Sequence, residues 1–376
     1  MIEPQISDDE LVAGVRAVRR DGASVRIKKR KRLRPTAGLT GSYFERVQLE
    51  IAGAKQKAIL KQGELPYGPP TREHAFFATL AHGVPMRVPA LYGIGPVPQN
   101  GGDGWVLMEA LPRGRRIIEW AAEETPRALR NLAALHAQYL GAAPAGLVRP
   151  FTRDLAYIFS FLEGGIEALR QKYAAYPHFP RAVGERSLEL ASQLAQRPDI
   201  FRRAFERSPE TLLHGDYHRG NLLVRDGEPH VVFDWQFVCA GPPAYDLAVF
   251  WLYMGAVNKP GFLRFFDRIA VVPRDMTWQQ VLEVYCDELS RLRPDADIAA
   301  ITSCADHALA WEPFRQLTYM GRGLDNFAGY MNFIYRDHRK IGGWFARWVG
   351  IEEGFRLYGE VFADFEERAE RLLASG

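Results

Sequence analysis

Residues 212–224 read LLHGDYHRGNLLV, and they restrict the fold more than any other stretch of the chain. His214, Asp216, His218 and Asn221 fall within eight residues, between two apolar runs. Groups that carry lone pairs and protons are thus packed where core would be expected. Thirteen residues after Asn221 comes Asp234, in VVFDWQ, after another short apolar run. The Asp-Gly pair at 226 and 227, between NLLV and HVVFDW, is a hairpin signal. That hairpin is predicted to place Asn221 and Asp234 at the outer ends of paired strands.

An Asp, an Asn five residues on and a second Asp beyond a hairpin suit phosphoryl transfer. A carboxylate must accept the proton of an attacking hydroxyl, and Mg²⁺ on the nucleotide phosphates wants oxygen ligands. The protein-kinase catalytic loop uses the same order of Asp base, Asn metal ligand and later Asp metal ligand. We therefore expect Asp216 as catalytic base, with Asn221 and Asp234 as magnesium ligands. His214 is expected to hold the loop by hydrogen bonds. His218 reads equally as a solvent-facing loop residue or as a substrate contact.

A chain of 376 residues favours two lobes over one. With 47% hydrophobic residues a core of normal size is available, and a net charge of +3 gives no argument for nucleic acid or membrane. Cys239, Cys286 and Cys304 are scattered and odd in number, which fits a reducing compartment and argues against a disulfide scaffold or a zinc site. The N-terminus is acidic and lacks the apolar core of a secretory signal, and no apolar run approaches the roughly 20 residues needed to span a bilayer. The expected location is cytoplasmic, with no membrane partner.

Along the chain, SDDELVAGVRAVRR at 7–20 reads as a helix, with Ser7 and Glu10 at capping-box spacing. Strands are expected at 24–33, 43–51 and 56–62, with AGAK as a turn. A helix follows at 70–82, then a hairpin of PALYGIG and GWVLMEA across NGGDG. From Pro112 the pattern is mostly helical, and PRALRNLAALHAQYL carries apolar residues at helical spacing. The composition shift near 111–113 predicts an N-lobe of β-meander plus helix at 1–111 and a helical C-lobe at 112–376, which holds the catalytic loop. The fold class is α+β, a protein-kinase-like two-lobed fold.

Such an N-lobe should handle phosphates. Gly38 and Gly41 in AGLTGSYFERV allow close backbone approach, and Ser42 with neighbouring amides can face phosphate. Lys61, in AILKQ on the third strand, is placed to contact the α- and β-phosphates. Glu73 is placed to pair with it, Glu64 being the nearest competitor. Backbone groups of Glu109, Ala110 and Leu111 would bond the nucleotide base. The cofactors expected are ATP, with GTP as the alternative, and Mg²⁺.

The sequence resembles the aminoglycoside phosphotransferase and choline kinase family, small-molecule kinases of protein-kinase-like fold. HGDYHRGN at 214–221, the DW at 234 and 235, LAALHA at 132–137 and AGPPAYDLAVF at 240–250 carry the resemblance. FDWQ followed by GPPAYDLA is most similar to the choline-kinase-like, ecdysteroid-kinase-like branch. The likeness runs from about residue 36 to at least 255, and it implies the same roles for Asp216, Asn221 and Asp234. It also implies that Asp246 bonds the backbone of the catalytic loop. HGD stands where protein kinases have HRD, and GPPAYDLA comes too soon after Asp234 for an activation loop. Both argue against a protein substrate.

Three features take blander readings. RIKKRKRLR at 26–34 is read as a solvated edge strand in preference to a nucleic-acid site. The aromatics Trp311, Phe314, Tyr319, Phe327, Tyr330, Phe333 and Tyr335 are read as helix packing before substrate pocket. Asp287, Glu288, Asp295 and Asp297 are read as solvated helix ends before a cation site. The expected function is ATP-dependent transfer of phosphate to a hydroxyl of a small molecule. The alternative is a non-catalytic nucleotide-binding module of the same fold.

Overall fold

The computed structural model describes residues 6–33, 43–62, 72–96, 104–112, 114–115, 119–173, 183–258, 270–272, 274–317 and 344–375. The chain divides into two compact units, Met1–Gly114 with Leu222–Val238, and Arg115–Asn221 with Cys239–Gly376.

The first unit opens with α1 (Asp8–Arg19). Ser7 Oγ accepts from Glu10 N at 3.2 Å while the Glu10 carboxylate accepts from Ser7 N at 2.7 Å, which closes the expected capping box. Acids in the first turn and Arg16 and Arg19 in the last complement the helix dipole. Its apolar face lies against a five-stranded antiparallel sheet of order β1 (Val25–Leu33), β2 (Tyr43–Ile51), β3 (Ala54–Gln62), β5 (Trp105–Glu109), β4 (Leu91–Ile94). The approach is close: a Cβ on Gly14 would stand 2.7 Å from the Ile94 carbonyl oxygen. Ala52 and Gly53 both have positive φ, at 49° and 81°, so the β2–β3 turn has the hand that suits a two-residue hairpin. Leu11, Val15, Val47, Leu49, Leu60 and Leu107 are buried in the core between helix and sheet. Each such side chain contributes about 1.5–3 kcal/mol. The helix expected over 70–82 is α2 (Arg72–Thr79), which buries Glu73 and His74 beside Phe76 and Phe77.

The second unit begins with α3 (Glu124–Tyr139). Leu129, Leu132, Ala133 and His136 recur at three- and four-residue spacing and are fully buried. α4 (Leu155–Tyr173), α5 (Glu185–Ala195) and α6 (Pro198–Phe205) follow, α6 with a proline in its first turn. After β6 (Thr211–Leu213) the chain passes into the first unit for the hairpin of β7 (Leu222–Leu223) and β8 (Val231–Val232). Leu222 faces Val232 and Leu223 faces Val231, and Gly227 turns with φ 69°. The chain returns with β9 (Cys239–Gly241), which pairs antiparallel with β6.

α7 (Ala244–Leu252) is buried along its whole length, so it is a core helix rather than an amphipathic one. A short antiparallel pair, β10 (Ala256–Asn258) with β11 (Ala270–Val272), interrupts the mostly helical pattern expected from Pro112 onward. Runs of three residues are too short for periodicity to reveal. α8 (Trp278–Leu292) starts at a Thr277–Gln280 capping box. α9 (Ile298–Ser303), α10 (305–317) and α11 (Trp344–Ser375) complete the unit. Trp311 and Phe314 of α10 are fully buried among Phe151, Phe159, Phe201 and Phe205, so these two serve packing. The other five aromatics of the 311–335 cluster lie outside the described residues. Among the described residues no helix is long and apolar enough to cross a membrane.

Candidate active site

In the second unit the loop after β6 hangs from a buried carboxylate. Asp246, in the first turn of α7, accepts from His214 N at 2.7 Å and from Gly215 N at 2.9 Å. Gly215 has φ 79°, a left-handed conformation that suits a residue without Cβ. His214 is fully buried, and its Nδ1 accepts from Asp216 N at 3.2 Å. The Asn221 amide nitrogen closes the loop by donating to the Asp216 backbone oxygen at 2.9 Å and to Asp216 Oδ2 at 3.0 Å. His218 Nε2 stands 3.5 Å from the same Oδ2, while its Nδ1 accepts from Gly220 N at 3.0 Å. A Cβ on Gly220 would come within 2.7 Å of the His218 ring, so the loop needs glycine there. Burial alone would raise the Asp216 carboxyl. Attraction to His218, with Arg315 and His214 adding to it, outweighs burial and holds the carboxyl down at about 2.

Behind the loop lies a further layer of buried polar groups. Asp246 Oδ2 is 3.4 Å from His136 Nε2, and His136 Nδ1 is 2.8 Å from the Tyr285 hydroxyl, linking α7, α3 and α8. Burial pushes the Tyr285 phenol well above its ordinary value. Tyr217 donates to the Ala128 carbonyl at 2.8 Å, and Thr211 donates to the His136 carbonyl at 2.9 Å. Arg219, almost fully buried, donates to Thr125 at 2.7 Å, pairs with Asp275 and stacks over the Trp120 ring at 5.3 Å. Another hub sits on α10. Glu312, fully buried, accepts from Tyr245 at 2.8 Å, Tyr253 at 2.9 Å, Gln316 at 2.9 Å and Arg315 through two bonds at 2.8 Å. The Tyr253 ring lies 5.7 Å from that of His218.

In the first unit the chemistry-bearing side chains hold one another. Lys61 Nζ, on β3, lies 2.6 Å from Glu73 Oε2 on α2 and 2.6 Å from Asp234 Oδ1. Glu64, the competing partner, lies outside the described residues. Burial alone would lower the Lys61 ammonium, but the two carboxylates outweigh it and hold it well above its ordinary value. For Glu73, burial and the like charge of Asp234 push the carboxyl up against the pull of Lys61. Asp234 itself has φ 67° and ψ 57°, a left-handed conformation uncommon outside glycine but tolerated by Asp. Trp235, fully buried, anchors the turn on its far side: its ring stacks on Phe76 at 4.0 Å and its Nε1 donates to the Val232 carbonyl at 3.1 Å. Gly38, Gly41 and Ser42 lie outside the described residues. At the end of β5, Glu109 N donates to the Ala90 carbonyl at 2.8 Å, and just beyond it Ala110 N donates to the Lys57 carbonyl at 3.0 Å. Leu111 N has no partner among the described residues. Arg87 bridges Glu109 and Glu228, each at 3.3 Å.

The structure thus brings Lys61, Glu73 and Asp234 together in one unit and Asp216 and Asn221 together in the other. Among the described residues no cluster of three or more His, Cys, Asp or Glu could hold a metal. The oxygen donors present do suit Mg²⁺, which is commonly held by one or two carboxylates with phosphate and water. Asn221 spends its amide nitrogen on Asp216, and Asp234 spends one oxygen on Lys61, which leaves a carbonyl and a carboxylate oxygen. Of the acids read as solvated helix ends, Asp297 caps α9, Glu288 pairs with Arg291 and Asp287 is exposed on α8, and Asp295 pairs with Arg293 between the two helices. His136, Arg219, Glu312 and Arg315 are not singled out by the sequence, although His136 interrupts an apolar helical stripe and Glu312 stands in one.

Among solved structures, a spectinomycin phosphotransferase in complex with ADP and spectinomycin is similar at 12% identity and a TM-score of 0.50, covering 97% of this chain and all of that one. At that identity the likeness shows the fold, which is protein-kinase-like. A choline kinase from Cryptosporidium parvum Iowa II aligns at 12% identity over 86% of this chain and 92% of its own, with a TM-score of 0.49. A macrolide 2'-phosphotransferase from Brachybacterium faecium aligns at 16% identity over 83% and 98%, with a TM-score of 0.39. No curated protein matches the chain. The family model described as "Phosphotransferase enzyme family" matches residues 39–276.

Proposed function

This chain belongs to the phosphotransferase enzyme family, and we propose that it moves the γ-phosphate of ATP to a hydroxyl of a small molecule. The observation that carries this reading is Lys61 at 2.6 Å from both Glu73 and Asp234, the latter 173 residues away in sequence. A lysine so fixed is a phosphate contact, and exchange of a carboxylate partner for phosphate needs little rearrangement. Glu73 orients it. Gly38, Gly41 and Ser42 would bring backbone amides to the phosphates. The segment Glu109, Ala110 and Leu111 would receive the base.

Asp216 receives the acceptor. Its Oδ2 is engaged by Asn221 and His218, so the hydroxyl approaches Oδ1. The acceptor oxygen forms a bond to the γ-phosphorus, the bond from that phosphorus to the bridging oxygen of ADP breaks, and the hydroxyl proton passes to Asp216 and then to solvent. A carboxyl near 2 is a feeble sink for an alcohol proton, so its main work is to orient the hydroxyl and the proton moves late. Asn221 and Asp234, at the two ends of the hairpin, would hold Mg²⁺, which when bound neutralises charge on the phosphates. Most of the acceleration then comes from positioning and charge. The absence of an activation loop between Asp234 and α7 favours a small acceptor over a protein. A cytoplasmic location fits the use of ATP.

Asp216→Asn tests the assignment. It is expected to keep Mg²⁺-ATP affinity within about threefold and to lose about 10²–10⁴-fold in ADP release over a panel of sugars, amino alcohols and apolar alcohols. Near-wild-type turnover in that variant would end the role of Asp216. Binding of Mg²⁺-ATP by the wild type with no transfer to any acceptor would favour a non-catalytic nucleotide-binding module. Running the panel with GTP in place of ATP resolves the nucleotide.

A further inference from the structure

The basic run of β1 belongs to a larger surface. Residues paired directly across antiparallel strands share a face of the sheet. Lys31 pairs with Arg46 and Arg46 with Ile59; Lys29 pairs with Gln48 and Gln48 with Lys57; Arg26 pairs with Glu50 and Glu50 with Lys55. Lys61 pairs with Phe44 and stands on this same face of β3. Arg26, Lys29, Lys31, Arg46, Lys55 and Lys57 are all exposed, and none makes an ion pair with a described carboxylate. Glu50 is the one acid that β1, β2 and β3 place on this face, and it is already paired with Lys28 at 3.1 Å.

Protection of a sheet edge explains lysines and arginines on β1. It does not explain Arg46, because β2 has partners on both sides. Nor does the face suit single-stranded nucleic acid, which needs aromatic platforms between its cations. Phe44, its one aromatic ring, is half-buried in the row of Lys61. What distinguishes the face is its continuity with Lys61. At ~3.3 Å per strand residue, the nearest basic row lies about 7 Å from the Lys61 row and the next about 13 Å. The first distance is within the ~8 Å screening length at physiological salt, and both are within it at low salt.

We infer that this face is an electrostatic capture surface for the polyphosphate of an incoming nucleoside triphosphate, delivering it along β3 toward Lys61. The inference rests on the nucleotide-binding reading above. The surface raises the association rate and takes no part in phosphoryl transfer.

Stopped-flow association of a fluorescent N-methylanthraniloyl-ATP with Mg²⁺, from about 20 to about 500 mM NaCl, tests it. The variant K29Q/K31Q/K55Q/K57Q is expected to associate about tenfold or more slowly at the lowest salt, with a flattened salt dependence and a dissociation rate within about twofold of wild type. A control with the same change of charge on the second unit, R186Q/R203Q/R291Q/R371Q, is expected to associate within about twofold of wild type. Unchanged association in the first variant overturns the inference, as does an equal slowing in the control, which would assign the effect to net charge. Retention of a single-stranded oligonucleotide on this face that the analogue fails to displace also overturns it, in favour of a nucleic-acid surface. If the wild type does not bind the analogue at any salt, the nucleotide reading itself fails and the inference falls with it.

Discussion

Lys61, Glu73 and Asp234 support one another: Lys61 and Glu73 are nearly buried and tolerate it because their charges meet, and the half-buried Asp234 adds a second carboxylate to the lysine. Asp216 and Asn221 are supported from behind by fully buried groups: Asp246 holds the loop backbone, and His136 and Tyr285 back Asp246. The first cluster is therefore a balance of charges, sensitive to pH and to the loss of any one member. The second is a scaffold of hydrogen bonds, in which the groups proposed to act can change while the frame stays. Loss of stability by substitution should come from the acting residues in the first cluster and from the supporting residues in the second.

Asp246→Ala is the severest test of that contrast. It strips two buried N–H groups of their acceptor, at about 1–3 kcal/mol each, and leaves His136 without its carboxylate. A loss of about 3–6 kcal/mol is expected in urea unfolding. An Asp246→Ala protein as stable as wild type would show that the loop does not hang from α7.

Lys61→Met should destabilise less, by about 2–4 kcal/mol, and in a pH-dependent way. Without the lysine, burial and Asp234 both push the Glu73 carboxyl up, and the backbone hydrogen bond from Trp235 is left to oppose them. A carboxyl raised in the folded state contributes stability that is full below its ordinary value, near 4, and is lost as pH rises through the raised one. The variant should therefore melt lower at about pH 8 than at about pH 5 by a wider margin than wild type does. Parallel melting curves would mean that Glu73 is not where the charge balance is struck.

Gly220→Ala probes the loop itself. The added methyl must push the His218 ring away from Asp216, at about 1–2 kcal/mol and with a several-fold fall in kcat. Unchanged kcat would remove His218 from the positioning of Asp216.

The smallest expected effect is also the most local reporter. All three cysteines belong to the second unit, and burial raises the thiols of Cys286 and Cys304 to about 11. At pH ~8 only about 0.1% of such a thiol is thiolate, so alkylation of the folded protein should be slow. Asp246→Ala should quicken labelling and Lys61→Met should not. Equal labelling of the two variants would erase the distinction between the clusters.

The residues of the 214–221 loop are legible because they break an apolar pattern with groups that need a reason to be there. Lys61 is legible from its place on the third strand, and α1 from the spacing of Ser7 and Glu10. Glu73 is less so: the sequence offers Glu64 beside it, and the contact that decides depends on how α2 lies against β3. His136 and Glu312 stay hidden for a physical reason. A buried polar group is justified by partners far along the chain, as His136 is by Asp246 and Tyr285, and local spacing carries no trace of them. The β10–β11 pair is missed because three residues hold no period.

The passage of Leu222–Val238 into the first unit has a consequence for how the protein can be taken apart. A fragment ending at Gly114 would lack Asp234 and Trp235, so Lys61 would lose a carboxylate and Phe76 its stacked ring. A fragment starting at Arg115 would carry that hairpin with nothing to receive it. The backbone alternates between the two units, and no single cut, natural or engineered, yields either one whole.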